Sequence, residues 1–212
     1  MALRSKLTAS LFGMFAALSV TSADATILSF GSENGGVPQL NYTNFADFTV
    51  SAGSVDLIGN GYFDAYPGNG LYVDLAGSTN QYGALTTIAV LPAGTYDVGL
   101  SLGGPIYPEG NQFGTVLDGA TVSWGEGPGK NFVLNDLQTQ NFFFTVTLAS
   151  AEQFTIADMG LSNNTDIGAT LFGIEITPHQ QSISTPEPLT LSLFGAGLAG
   201  AAAMRRRKKK SA

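Results

Sequence analysis

Three scarcities frame this sequence. It has no cysteine, one histidine (His179), and one Lys or Arg, Lys130, in the whole stretch from Thr26 to Thr185. Without cysteine there is no disulfide, so a folded exported domain must hold through its core alone. With the lone histidine so late in the chain, Ser-His-Asp and Cys-His catalysis are excluded in practice. Zinc sites of Cys and His are excluded with them. The same stretch carries fourteen carboxylates against its single lysine, a formal net charge of −13. Such a surface repels phosphate backbones, which excludes nucleic acid as a partner.

The remaining basic residues sit near the two ends. Arg4 and Lys6 precede a short apolar run from Leu7 to Val20, followed by Ala23-Asp24-Ala25. A basic start, a short apolar core and a small-x-small triplet predict a signal peptide over 1–25. Ala23 and Ala25 mark the cleavage site, and Thr26 is the first mature residue. Export of this kind implies the Sec translocon as a partner. At the other end, Arg205 to Lys210 are six consecutive basic residues.

Between the ends the chain reads as strand, turn, strand. In "GLYVDLAGS", Leu71, Val73 and Leu75 alternate with Tyr72 and Asp74. Tyr96, Val98, Leu100 and Leu102 fall together, as do Phe142, Phe144, Val146 and Leu148. "ATLFGIEIT" sets Phe172, Ile174 and Ile176 opposite Glu175. A period of two marks half-buried strands. Asp118-Gly119 in "TVLDGATVSW" reads as a two-residue hairpin turn. "LPAGTY", "YPGNGLY" and "GEGPGKN" are further breaks. Nine or ten short strands predict an all-β, two-layer antiparallel sandwich of the jelly-roll type over 26–177.

After the sandwich, 178–188 is polar and Pro-punctuated, a linker ending in Pro186-Glu187-Pro188. Residues 189–204 form an uncharged segment read as a transmembrane helix. It would reach about 24 Å, against roughly 30 Å of bilayer hydrocarbon. The basic stretch 205–212 reads as a cytoplasmic tail. A Pro-Glu-Pro triplet, a short apolar span and a basic cluster, in that order, resemble the PEP-CTERM sorting signal of Gram-negative bacteria. The resemblance implies an exosortase-type membrane protease as partner, with Pro186, Glu187 and Pro188 as its recognition element. It also implies an inner-membrane-inserted precursor, delivered to the cell surface or extracellular matrix.

The body carries a second resemblance. "SVDLIG", "GLYVDLAGS", "LPAGTYDVGLSLGG" and "GATLFGIEIT" are similar to galactose-binding-like β-sandwiches of exported proteins. Those domains often carry an acidic "LDDV"-like stretch tied to a structural calcium. Here Leu171, Phe172, Gly173 and Ile174 stand at those positions, so the resemblance does not extend to the calcium ligands.

Chemistry is sparse. No catalytic residue, cofactor or metal ligand set is assigned. Asp47, Asp56 and Asp166 are the acidic positions that would serve a structural calcium, and solvated surface charge is the alternative. Sugars are held by an aromatic face with amides and carboxylates on the hydroxyls. "GYFDAYPGNG" offers Tyr66 with Asp64 and Asn69. "GGPIYPEGNQ" offers Tyr107 with Glu109 and Asn111. Trp124 borders a loop containing Glu126. Each aromatic has a structural alternative: Trp124 shares parity with Val122, and both tyrosines can cover the sandwich ends. The resulting expectation is a non-enzymatic surface or matrix protein that binds exopolysaccharide. A secreted carbohydrate-active enzyme and a purely structural surface protein are the alternatives.

Overall fold

The computed structural model describes residues 25–104, 117–125, 127–135, 138–162 and 168–180. The expected signal peptide up to Asp24, and the sorting triplet, membrane segment and basic tail within 181–212, lie outside the described residues. No helix among the described residues is long and apolar enough to cross a membrane. The chain divides into two units, Met1–Pro178 and His179–Ala212, and the fold below belongs to the first.

Thirteen strands appear among the described residues, more than the nine or ten expected, and two of them, β5 and β6, are only two residues long. They are β1 (Thr26–Ser29), β2 (Phe48–Ala52), β3 (Asp56–Gly59), β4 (Leu71–Asp74), β5 (Ala76–Gly77), β6 (Gln81–Tyr82) and β7 (Ala84–Thr87). Then follow β8 (Gly94–Gly103), β9 (Leu117–Trp124), β10 (Lys130–Asn135), β11 (Thr139–Leu148), β12 (Phe154–Asp158) and β13 (Thr170–Pro178). One sheet has the order β11-β8-β13-β4-β3, with β1 also paired to β13. The other has the order β10-β9-β12-β7-β2. All pairs in these two sheets are antiparallel.

The alternating residues meet between the sheets. Val98, Leu100 and Leu102 of β8, Val146 and Leu148 of β11, Ile156 of β12 and Val122 of β9 are all buried there. Each such side chain contributes roughly 1.5–3 kcal/mol on leaving water. That core stands in for the disulfides the chain cannot form.

Two local readings change. Asp118-Gly119 is not a hairpin turn but lies inside β9, where Gly119 pairs with Val133. Asp118 is completely buried and accepts from the backbone N–H groups of Gly119 (2.7 Å), Leu161 (3.4 Å) and Ser162 (3.2 Å). A Cβ at Gly119 would collide with the Phe132 carbonyl. The glycine thus serves close strand packing, and the aspartate ties down the loop after β12. The second change concerns Phe172. The register of β13 slips between Leu171 and Gly173. Leu171 and Ile174 enter the core, while Phe172 turns to the opposite face and packs on Tyr66 and Tyr72. Such a bulge inserts one residue, so the core-facing positions are odd before it (Ala169, Leu171) and even after it (Ile174, Ile176). It falls where β13 exchanges β4 for β1 as its second neighbour.

Candidate functional site

The outward face of the β8–β13 sheet has a covered half and an open half. In the covered half, segment 60–70 folds back over the sheet. Tyr66 is 7% exposed. Its ring lies 5.8 Å from Tyr72 and 5.1 Å from Phe172, and its hydroxyl donates to the Gly104 carbonyl at 2.8 Å. Tyr72 donates to Asp64 Oδ1 at 3.0 Å and receives the Tyr66 N–H at 3.2 Å. Burial pushes the Tyr72 hydroxyl pKa up to about 12. Asp64 also accepts from the Gly61 N–H (3.0 Å), and the Asn69 amide donates to the Tyr66 carbonyl (2.9 Å). Tyr66, Asp64 and Asn69 therefore come together as expected, but as the clasp of this segment. The Tyr66 ring is not offered to solvent, because Gly103 beneath it leaves just enough room for it to lie on the sheet.

The exposed aromatics of the segment are Tyr62 and Phe63, packed edge-to-face at 4.7 Å. Phe63 holds a φ of 46°. That is uncommon for a bulky side chain and costs about 1–2 kcal/mol.

Trp124 is half-buried, stacked 5.9 Å from Phe144 and tilted 5.8 Å from Phe154, so its alternative as a core-packing residue describes its surroundings. Tyr107, Glu109, Asn111 and Glu126 lie outside the described residues. So does Asp166. Asp47 is exposed, and Asp56 is buried, accepting from the Asn41 N–H (2.6 Å) and the Ser78 hydroxyl (2.6 Å). Among the described residues no three His, Asp or Glu side chains are placed to hold a metal ion.

Acidic groups do gather at the end of the sandwich near Asp74. Asp158 accepts from the Gly160 (2.6 Å) and Ala169 (2.8 Å) N–H groups. Burial, then the neighbouring Asp118 charge, pushes its pKa up to about 7. Burial raises Asp118 too, and lifts Asp74 well above the carboxylate range with help from Asp56, Asp158 and Asp118. Perturbed carboxylates often mark active sites. Here the pair Asp118–Asp158 is spent on backbone amides, and Asp118 is sealed from solvent.

The open half is different. Strand register places Ile27, Glu175, Gly99 and Phe143 in one row across β1, β13, β8 and β11. A second row holds Ser29, Gly173, Ser101 and Asn141. A third holds Thr177, Asp97 and Thr145, whose hydroxyl donates to Asp97 at 2.7 Å. Phe143 is 79% exposed and Ile27 69%. Gly99 has no side chain, so Phe143 leans over it: a Cβ there would meet the ring at 3.2 Å and the Glu175 Cβ at 3.6 Å. Phe143 and Glu175 stand two strands apart, roughly 9.5 Å. Two shallow depressions of about 340 and 300 Å³ flank this row, and both are bordered by Phe143, Gly99 and Glu175.

Sequence reasoning did not single out Phe143 or Glu175. The available signal was "NFFF": three consecutive phenylalanines in an alternating strand force at least one outward. Only aromatics in or bordering loops are weighed there as sugar platforms.

Comparison with curated proteins finds no match. Among solved structures, the chain is similar to the CBM22-1 xylan-binding domain of Paenibacillus barcinonensis, with 12% identity and a TM-score of 0.46, over 77% of this chain and all of that one. It is also similar to the CBM36-1 domain of a multidomain xylanase from the hindgut metagenome of Trinervitermes trinervoides, at 15% identity and a TM-score of 0.45, over 74% of this chain and all of that one. A third is the exo-β-1,3-galactanase of Phanerochaete chrysosporium, at 19% identity and a TM-score of 0.39, over 73% of this chain. This chain spans only 29% of the galactanase's length. In sequence, residues 184–208 match the PEP-CTERM protein-sorting motif, and the chain thus carries that sorting signal.

Proposed function

We propose that this is an exported surface or matrix protein, sorted through its PEP-CTERM motif, whose sandwich binds polysaccharide on the open half of the β8–β13 sheet. The carrying observation is Phe143, a large apolar ring left 79% exposed beside two depressions. A sugar ring stacks on such a face and its hydroxyls need polar partners. Asn141, Ser101, Thr145 and Glu175 supply these within one row of the ring.

The reading is non-enzymatic. The perturbed carboxylates accept backbone amides at the Asp74 end, and Asp118 is sealed from solvent. A glycosidase needs two carboxyl groups flanking a cleft that admits the sugar. The sorting motif supports exosortase handling at Pro186-Glu187-Pro188 and passage through an inner-membrane-inserted stage. The sandwich itself we read as a galactose-binding-like jelly roll.

The test is affinity electrophoresis of the full-length chain and of Phe143→Ala in gels containing the producing cell's own exopolysaccharide. Retardation of the parent and its loss in the variant support the reading. Equal mobility with and without polysaccharide would favour a purely structural surface protein. Release of reducing ends from the polysaccharide would favour an enzyme.

A further inference from the structure

We infer that the open face selects glycans bearing free amino groups, such as partly deacetylated hexosamine polymers, by pairing the amine with Glu175 while Phe143 stacks on the ring. This rests on the glycan-binding reading of that face. Glu175 borders both depressions, across the Gly99 floor from Phe143, and Asp97 borders one of them. Asp97 already accepts from Thr145, so Glu175 is the carboxylate set against the ring. No Lys or Arg stands on this face among the described residues. The domain's lone lysine, Lys130, lies over the Phe144 ring at 4.9 Å, on a strand of the other sheet.

A face with two formal negative charges and no cation repels uronic acid, sulfate and phosphate groups. The excess of carboxylates over the whole sandwich adds to that field. A neutral sugar is tolerated but leaves Glu175 without a charged partner. A protonated amine on a stacked hexosamine gains both the ion pair and attraction to the aromatic face. The Phe143 ring and the Glu175 Cβ lie 3.2 and 3.6 Å from the same point above Gly99, so a sugar stacked on the outer face of the ring has the carboxylate beside it.

The experiment is titration calorimetry of the full-length chain with three oligosaccharides: glucosamine, N-acetylglucosamine and galacturonic acid oligomers of equal length. It is run at a pH where the free amine is protonated. The expected order is glucosamine, then N-acetylglucosamine at about fivefold weaker affinity, the size of one exposed ion pair, with the uronic acid oligomer weakest. Glu175→Gln should erase the glucosamine preference, bringing the amino and N-acetyl oligomers to equal affinity. Added salt should narrow the preference in the parent. Equal affinity for the amino and N-acetyl forms, with loss of both in Phe143→Ala, would overturn the amine inference and leave the glycan reading standing. A preference that survives Glu175→Gln would also overturn it. Binding of none of the three, nor of native exopolysaccharide, by a folded chain would overturn both.

Discussion

The two halves of the outward β8–β13 face are built from the same kinds of residue and used oppositely. Each sets an aromatic ring over a glycine of β8: Tyr66 over Gly103 and Phe143 over Gly99. Each has a carboxylate nearby, Asp64 in one and Glu175 in the other. Over Gly103 the ring is sealed beneath segment 60–70 and its hydroxyl is satisfied by a carbonyl. Over Gly99 the ring stays in water. The difference is what lies above the ring. Segment 60–70 links β3 to β4 and has chain to spare for a return across the sheet, whereas β8 and β11 rise without any such covering among the described residues. An aromatic on a sheet is therefore a stabilising plug or a binding platform according to what the neighbouring connection does.

The comparison breaks most sharply at Tyr66. Tyr66→Ala should cost about 3–5 kcal/mol, as for other buried aromatic truncations, read as a lowered denaturation midpoint. The folded fraction should keep its glycan affinity. Unchanged stability with lost affinity would make Tyr66 a platform after all.

The two glycines give a matched pair. A Cβ at Gly103 would sit 2.8 Å from the Tyr66 ring, under a fixed cover. Gly103→Ala should cost about 1–3 kcal/mol by overpacking. A Cβ at Gly99 would meet a ring free to lift away, so Gly99→Ala should cost less and act chiefly on glycan affinity. Equal stability losses would show that the two halves are equally rigid.

The end of the sandwich that holds Asp74 should also answer to pH. Asp74, Asp118 and Asp158 all have pKa values raised by burial, Asp158 to about 7 from 3.8. The folded state thus holds protons more tightly than the unfolded chain. Stability should be greatest near or below 3.8 and fall as pH rises toward 7, by at most about 1.4 kcal/mol per pH unit for one proton. Thermal melts across that window read it, and Asp158→Asn should flatten the slope. A melting temperature that rises through the window would contradict the buried-carboxylate account.

The smallest stability effect is expected at Phe143. Phe143→Ala should change stability by less than about 0.5 kcal/mol, as at other exposed sites. It should weaken glycan affinity about tenfold, near 1.4 kcal/mol. A large stability loss would place the ring's main role in covering Gly99.

The all-β sandwich was legible because period-two alternation in stretches such as 96–102 and 142–148 records burial directly. The sorting motif was legible because it is a linear signal, read without folding. Two things were not. The parity of Phe172 depended on a bulge that the string "ATLFGIEIT" does not announce, since the slip comes from β13 changing partners. The hairpin expected at Asp118-Gly119 failed because the same dipeptide can make a tight turn or serve an aspartate that caps a distant loop and a glycine that admits a close strand.

By itself the sequence determined composition-level and local properties: an acidic body with one lysine, no disulfides, alternating strands, and the signal over 184–208. These depend on residue type and short-range order. Only the tertiary structure decided which aromatics face water. Phe143 and Glu175 are 32 positions apart in the chain, and both become neighbours of Gly99 because β8 lies between β11 and β13. Tyr66 was withdrawn from solvent by the path of its own segment. Exposure is set by what packs above a residue, and that follows from strand order and the path of neighbouring segments, which no local stretch contains.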